Sequence, residues 1–307
     1  MKLLVIVGPT ASGKTRLGVE VAHAIGSEII SADSRQVYRG LDIGTGKDLE
    51  EYSAVDPPIP HHLIDIADPE DIYTLFRYQR DCHEVLRTLA LLPRYADGTT
   101  PVLMVGGSGL YIESVIREFR LADVAEDPRL RDELRTLSRE ELENRLLTAS
   151  PEIHARTDCS SSRRLIRGLE IAAAERRGPV TFTRPLDFKL DVRILAITID
   201  RQKLRARIAE RLQRRLDAGM VEEVRGLLSR GITQERLRSL GLEYREVGAY
   251  LARRKTFKSM VSSLQTAIGH FAKRQETWFR GMPRRGLRLQ TIESGDIEAA
   301  LKSVETW

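Results

Sequence analysis

The chain has 307 residues, of which 41% are hydrophobic and 30% charged, with a net charge of +5. That length and balance suit a globular protein of one or two domains and exclude a fibrous or disordered chain. Two cysteines far apart, Cys82 and Cys159, exclude a disulfide framework; no apolar run is long enough for a membrane span or a signal-peptide core, so a cytoplasmic protein is expected.

The elements read off in order. Leu3 to Val7 is a buried strand, followed by the loop Gly8–Thr15 and a helix over 15–24. Residues 28–31 form a second short strand that ends at Asp33. Residues 74–92 carry helical spacing, and Val102 to Val105 is another apolar strand, ending in Gly106-Gly107. Strand and helix in alternation predict an α/β unit with a parallel sheet. The character changes near residue 116, and 128–178 is dense in Arg, Glu and Leu with few strand signals, as a helical insertion would be. Val192 to Ile199 then returns to the sheet, and Asp200 caps a helix in which Leu204, Ile208, Leu212 and Leu216 recur every four residues until Gly219. The chain stays helical to about residue 280. The expected domains are therefore an α/β core over 1–116 and 190–307, and a helical insertion over 117–189.

The loop GPTASGKT meets the pattern G-x-x-x-x-G-K-[ST] with Gly8, Gly13, Lys14 and Thr15, around Pro9, Thr10, Ala11 and Ser12. Successive N–H groups of such a loop line a concavity and the next helix points its positive end at the anion; the lysine adds a point charge, and the threonine hydroxyl suits Mg²⁺. A strand before and a helix after strengthen the match. Most such loops serve ATP or GTP. Here, however, the later apolar strand ends in glycines, where a nucleotidase carries a metal-organising Asp. The available carboxylate is Asp33, at the carboxyl end of the second strand, the edge where open α/β sheets bind ligands. It reads as a general base or metal organiser, or as a turn or cap residue.

GPTASGKT, ISADSRQVYRGLDIGTGK (30–47), HHLIDI (61–66) and VGGSGLYI (105–112) together resemble the tRNA dimethylallyltransferase (tRNA isopentenyltransferase) family. DPRLRDEL (127–134), RRLIRGLEI (163–171), GLEYRE (241–246) and AKRQETWFRG (272–281) follow in the family's order, so the likeness covers nearly the whole chain. Ser108 stands where many members have Thr, Gly46 where many have Ala, and Arg163 where Gln is common.

The resemblance implies transfer of a dimethylallyl group from its diphosphate to N6 of adenine-37, beside the tRNA anticodon. An exocyclic adenine amine is a weak nucleophile, so a base must take its proton, and Asp33 fits by position. Lys14, the loop amides and Mg²⁺ would neutralise the leaving diphosphate, with Thr10 donating to its bridging oxygen and Arg164 closing over it. The target base must be extruded from its stack. The family likeness assigns Asp33, Ser34, Arg35, Gln36, Ser108, Arg131, Arg163, Arg164, Arg167, Tyr244 and Arg245 to the RNA. Basic runs at 163–184 and 273–288 suit that role, although such a run alone is usually a solvated helix face. Arg207 and Arg211 lie on the polar side of their helix, to bind diphosphate or merely face water.

Other residues attract the bland reading. His61-His62 lacks a third ligand nearby, Cys82 and Cys159 have no cationic helix signal and are expected to be inert, and Trp278 and Phe279 are core-like. The expectation is an α/β phosphate-loop core with a helical RNA-binding insertion: a prenyltransferase of tRNA that uses dimethylallyl diphosphate and Mg²⁺ and acts as a monomer without a protein partner. The alternatives are a free-nucleotide isopentenyltransferase acting on AMP, a nucleoside monophosphate kinase binding ATP, or an RNA-binding protein without catalysis.

Overall fold

The computed structural model describes residues 1–307 and separates two compact units, Met1–Glu118 with Leu186–Trp307, and Phe119–Pro185. No helix is long and apolar enough to cross a membrane.

The first unit is built on six strands: β1 (Lys2–Val7), β2 (Ile29–Ser31), β3 (His61–His62), β4 (Val102–Gly106), β5 (Asp191–Thr198) and β6 (Leu289–Glu293). They pair in the order β3-β2-β4-β1-β5-β6, every pair parallel. The side-chain period of two splits β1 between both faces. Leu3, Val5 and Val7 join one core with Ile30, Met104 and Ile194, whereas Leu4 and Ile6 join another with Ile29, Leu103 and Leu195. Both faces are covered at β1 and β4, which is why these two read as continuous apolar runs rather than alternating ones.

Helices α1 (Lys14–Ile25), α2 (Leu49–Ser53), α3 (Leu75–Ala90), α4 (Pro93–Ala96) and α5 (Gly109–Ile116) come from the first half of the unit. Thr74 caps α3 by accepting from the Arg77 N–H at 3.2 Å. The second unit holds α6 (Pro128–Leu134), α7 (Arg139–Ala149), α8 (Pro151–Arg156) and α9 (Ser162–Arg177). After it come α10 (Arg201–Asp217), α11 (Met220–Ser229), α12 (Gln234–Leu240), α13 (Leu242–Leu251), α14 (Phe257–Gly281) and α15 (Ile297–Glu305). The leucine spacing of α10 buries Leu204, Ile208 and Leu212, and Gly219, with φ of 97°, takes the left-handed turn that follows. Both α1 and α15 pack on the second face of the sheet.

The topology places the site. In the sheet β2, β4 and β1 are neighbours and parallel, so their carboxyl ends share one edge. That edge carries Asp33, Gly106-Gly107 and the phosphate loop. The two glycines have a packing reason: a Cβ on Gly106 would lie 2.1 Å from the Ala32 carbonyl oxygen, and one on Gly107 2.3 Å from the Gln275 side chain. An acid at this strand end has no room.

The helical unit has its own core of Leu134, Leu142, Leu146, Ile153, Leu165, Ile166, Leu169 and Ala172. Ser138 and Glu141 form a capping box on α7. Glu170, 1% exposed, is a buried charge in this unit. Arg131 grips it with two bonds, Nε to Oε1 at 2.7 Å and Nη2 to Oε2 at 2.9 Å, while the Asp127 N–H and Arg167 donate at 2.9 and 3.1 Å. Burial opposes the charge, but these donors outweigh it and hold the carboxyl below its usual range. Arg131→Ala leaves that charge uncompensated and is expected to destabilise the helical unit by about 3–5 kcal/mol, read as a lower urea midpoint. Because the folded pKa is depressed, the stabilisation is present above the ordinary glutamate pKa of about 4.3 and is lost as pH falls below it. A midpoint equal to the parent's would refute this role.

Candidate active site

The phosphate loop joins β1 to α1. Its turn needs two left-handed residues, Ala11 at φ of 62° and Gly13 at 83°. Gly13 is the N-cap of α1 and no side chain caps this end, so the first-turn amides are open to an anion. The loop is braced from two sides. Gln275 on α14 accepts from the Thr10 N–H at 2.8 Å and donates to the Gly107 carbonyl at 2.9 Å. Ser294, after β6, donates to the Ser12 carbonyl at 2.8 Å and accepts from Arg207 at 2.7 Å.

The loop opens on a cleft of about 520 Å³. Thr10, Ala11, Gly13, Lys14 and Thr15 line it, with Asp33, Arg35 and Gln36 from the β2 end. Gly8, Pro9 and Ser12, also of the loop, are buried and do not line the cleft. Loss of hydration lowers the Lys14 ammonium to about 8, against the pull of Asp33, and Arg211 pushes the same way as burial. Asp33 Oδ1 accepts from the Arg35 N–H at 3.0 Å, so the turn role is real, and the residue also faces the cleft. Gln36 donates to the Gly46 carbonyl at 3.0 Å and accepts from Ser31 at 3.2 Å. Ser108 accepts from the Ser34 N–H at 3.0 Å and donates to its hydroxyl at 3.3 Å.

The opposite wall is cationic. Arg207, Arg211 and Arg215 recur every four residues of α10 and all line the cleft. Arg211 pairs with Asp48 and donates to the Gly46 carbonyl at 3.2 Å. Arg215 is the most enclosed, and burial with the neighbouring Arg211 lowers its guanidinium to about 10. Asp48 and Glu51 complete the lining. Burial and then Asp48 raise Glu51 to about 7, and its Oε2 atom is buried without a hydrogen-bond partner. Thr15, Asp33, Asp48 and Glu51 are an oxygen-only donor set in one cleft, and the orphaned carboxylate oxygen and raised pKa are what a hard cation such as Mg²⁺ relieves.

Other expected residues lie elsewhere. Tyr244 is fully buried and its hydroxyl donates to Glu223 at 2.7 Å. Arg245 is exposed and donates to Glu246 at 3.0 Å. Arg131, Arg163, Arg164 and Arg167 belong to the helical unit: Arg131 and Arg167 hold Glu170, Arg164 pairs with Asp158, and Arg163 is exposed. Trp278 packs partly buried and donates to Glu113 at 2.8 Å, and Phe279 is buried. His62 sits at 2.8 Å from Glu28. Sequence reasoning missed Arg215, whose signal was the same four-residue spacing that marked Arg207 and Arg211. It also missed Gln275, which lies inside AKRQETWFRG but looks like any polar helix residue.

An anion held at Lys14 favours its charged form. Binding of a diphosphate is therefore expected to weaken as pH rises through about 8, by up to about tenfold per pH unit, because the ligand must then restore a proton to Lys14. Calorimetry of diphosphate binding from pH 7 to 10 measures it. The same slope in Lys14→Ala would assign the titration to another group.

The family model described as IPP transferase matches residues 36–282, and that described as isopentenyl transferase matches residues 1–54. A tRNA dimethylallyltransferase of Porphyromonas gingivalis is 46% identical over 95% of this chain and 94% of its own. One from Syntrophotalea carbinolica is 47% identical over 96% and 95%. Among solved structures, the tRNA isopentenylpyrophosphate transferase of Bacillus halodurans has a TM-score of 0.67 at 30% identity, over 99% of this chain and 94% of that one. The corresponding enzyme of Staphylococcus epidermidis has 0.65 at 25%, over 99% and 97%. With a family model spanning most of the chain and near-half identity along its length, the chain belongs to the IPP transferase family, alongside the tRNA dimethylallyltransferases.

Proposed function

We propose that this chain transfers a dimethylallyl group from dimethylallyl diphosphate to N6 of adenine-37 in tRNA and releases diphosphate. The observation that carries the reading is the pairing, in one cleft, of a diphosphate-type cradle with a carboxylate: Lys14 and the open α1 amides against the α10 arginines, with Asp33 at the adjoining strand end. One chain supplies all of these groups, so the chemistry needs no second subunit, and its substrate tRNA makes the cytoplasm the place of action.

The diphosphate seats on the Gly13–Thr15 amides, with Lys14 and Arg211 beside it. Thr10, which lines the same cleft, donates its hydroxyl to the bridging oxygen as the carbon–oxygen bond breaks. The adenine amine attacks the freed allylic carbon, and Asp33 accepts the N6 proton as the carbon–nitrogen bond forms. Charge then leaves with the diphosphate, which the cationic wall stabilises without reorganising. Thr15 with Asp48 or Glu51 would hold Mg²⁺, which when bound supplies charge neutralisation on the diphosphate oxygens. No covalent enzyme intermediate is required. Arg163, Arg164 and the exposed arginines of α9 serve the RNA backbone, and extrusion of the base brings its amine to Asp33.

Unmodified tRNA, labelled dimethylallyl diphosphate and Mg²⁺, run in parallel with ATP plus AMP, test the reading. Label is expected in tRNA alone. Phosphoryl transfer to AMP, or prenylation of free AMP but not tRNA, would replace it. For the RNA side, Arg163→Ala is expected to weaken tRNA binding and to reduce the salt slope by about one, with diphosphate binding unchanged. An unaltered slope would remove Arg163 from the RNA contacts.

A further inference from the structure

The helical unit contains a second cluster of chemically capable side chains, with no part in the proposed transfer. Glu143 on α7, His154 on α8 and Cys159 in the connector to α9 bring one carboxylate oxygen, one imidazole nitrogen and one sulfur within 4.8 Å of one another. We propose that these three residues form a Zn²⁺ site.

The sulfur–nitrogen distance fits tetrahedral coordination. A zinc ion about 2.3 Å from sulfur and about 2.0 Å from nitrogen, at a tetrahedral angle, sets those atoms about 3.5 Å apart. Cys159 Sγ lies 3.6 Å from His154 Nε2, and His154 Nε2 lies 3.7 Å from Glu143 Oε1. The mixed sulfur, nitrogen and oxygen set suits a borderline-soft ion rather than Mg²⁺ or Ca²⁺.

The ligand carriers are ordered by bonds of their own. Ser150 caps α8 through the Ile153 N–H at 3.3 Å. Thr157 donates to the Ile153 carbonyl at 2.7 Å, and Asp158 accepts from the Ser160 N–H at 3.0 Å, fixing the connector on either side of Cys159. Arg139 donates to Glu143 Oε2 at 2.9 Å, so Oε1 is the oxygen turned to His154; the same nitrogen reaches the Cys159 carbonyl at 3.4 Å. That outer contact orients the carboxylate as supporting groups around metal ligands do. The Glu143 and Asp158 carboxylates put negative charge beside the sulfur and favour a cation, which takes the proton's place on sulfur. Side-chain exposure of 23% at His154 and 33% at Glu143 leaves a fourth position for water. An ion here ties α7 and α8 to the segment that leads into α9, four residues ahead of Arg163.

The test uses the full chain, kept reduced and stripped with a chelator, then titrated with Zn²⁺ against a chromophoric chelator and separately with Co²⁺. One equivalent of tightly held Zn²⁺ is expected, together with a Co²⁺ spectrum that has a thiolate charge-transfer band and tetrahedral-strength ligand-field bands. Both are expected to vanish in Cys159→Ser and His154→Ala. Zn²⁺ is expected to raise the melting temperature of the parent but not of Cys159→Ser, whose near-isosteric change at a partly exposed position leaves the fold intact by far-UV circular dichroism. Metal held in the phosphate-loop cleft has only oxygen ligands and gives no thiolate band. Absence of that band, equal stoichiometry in parent and Cys159→Ser, or no binding that survives dialysis would each overturn the site.

Discussion

Lys14→Ala lowers single-turnover prenyl transfer by about 10²–10³-fold, the usual loss when one donor aimed at developing charge is removed, and the protein stays folded. The structural stake of this side chain is small. Its ammonium makes one long hydrogen bond, to the Pro9 carbonyl at 3.4 Å. Burial already lowers its pKa to about 8, and Arg211 adds repulsion, so the empty cleft does not gain from a charged lysine as the loaded one does. The ammonium is therefore kept for an anion. The melting temperature is expected to be unchanged, and diphosphate binding to weaken together with the rate. Near-parental transfer by Lys14→Ala would remove the loop from the chemistry, since no other group of the loop carries a full positive charge.

The α/β architecture was legible because its elements announce themselves locally. LLVIV and the 102–105 run are buried on both faces and so are apolar without interruption, 192–199 keeps a buried Ile194–Leu195 centre, and the α10 leucines repeat with the helix period. The elements that escaped were those whose signal is not local. Strand β3 is only two histidines, held by pairing with β2. Strand β6 has a single buried residue, Ile292, and takes its conformation from β5. In the cleft, the phosphate loop and Asp33 follow from spacing on a sheet edge, and Gln36 from the family resemblance alone. Gln275 and Ser294 enter only because long-range packing returns α14 and the β6 end to the loop, and Asp48 and Glu51 because α2 packs on α1 and Asp48 meets Arg211 of α10. Arg131 and Arg167 show the converse: a basic residue in a family-like motif whose donors are engaged with a buried glutamate. Cys159 instead repeats the case of Gln275: His154 is five residues away, but Glu143 reaches the pair only because α7 packs on α8.

Asp33→Asn separates three roles for one carboxylate. The side chain holds its turn by accepting from the Arg35 N–H at 3.0 Å, a bond the asparagine amide oxygen also makes, so the β2 end and the cleft keep their shape. If holding the turn were the whole role, the variant would prenylate at the parental rate. If Asp33 organised Mg²⁺, weaker affinity for the ion would slow the reaction, and raised Mg²⁺ would recover it, the more so because Asp48 and Glu51 remain in the cleft as carboxylate ligands. If Asp33 takes the N6 proton, asparagine has no basic oxygen to offer, and no Mg²⁺ concentration replaces it. The expected result is the third: a chemical step slowed by about 10²–10⁴-fold at saturating tRNA, insensitive to Mg²⁺, with tRNA and dimethylallyl diphosphate still bound. Single-turnover rates across a Mg²⁺ series read all three. Recovery at high Mg²⁺ would transfer Asp33 to the metal, and parental turnover would leave the adenine without its base, because no other carboxylate lies at the β2 end beside Lys14.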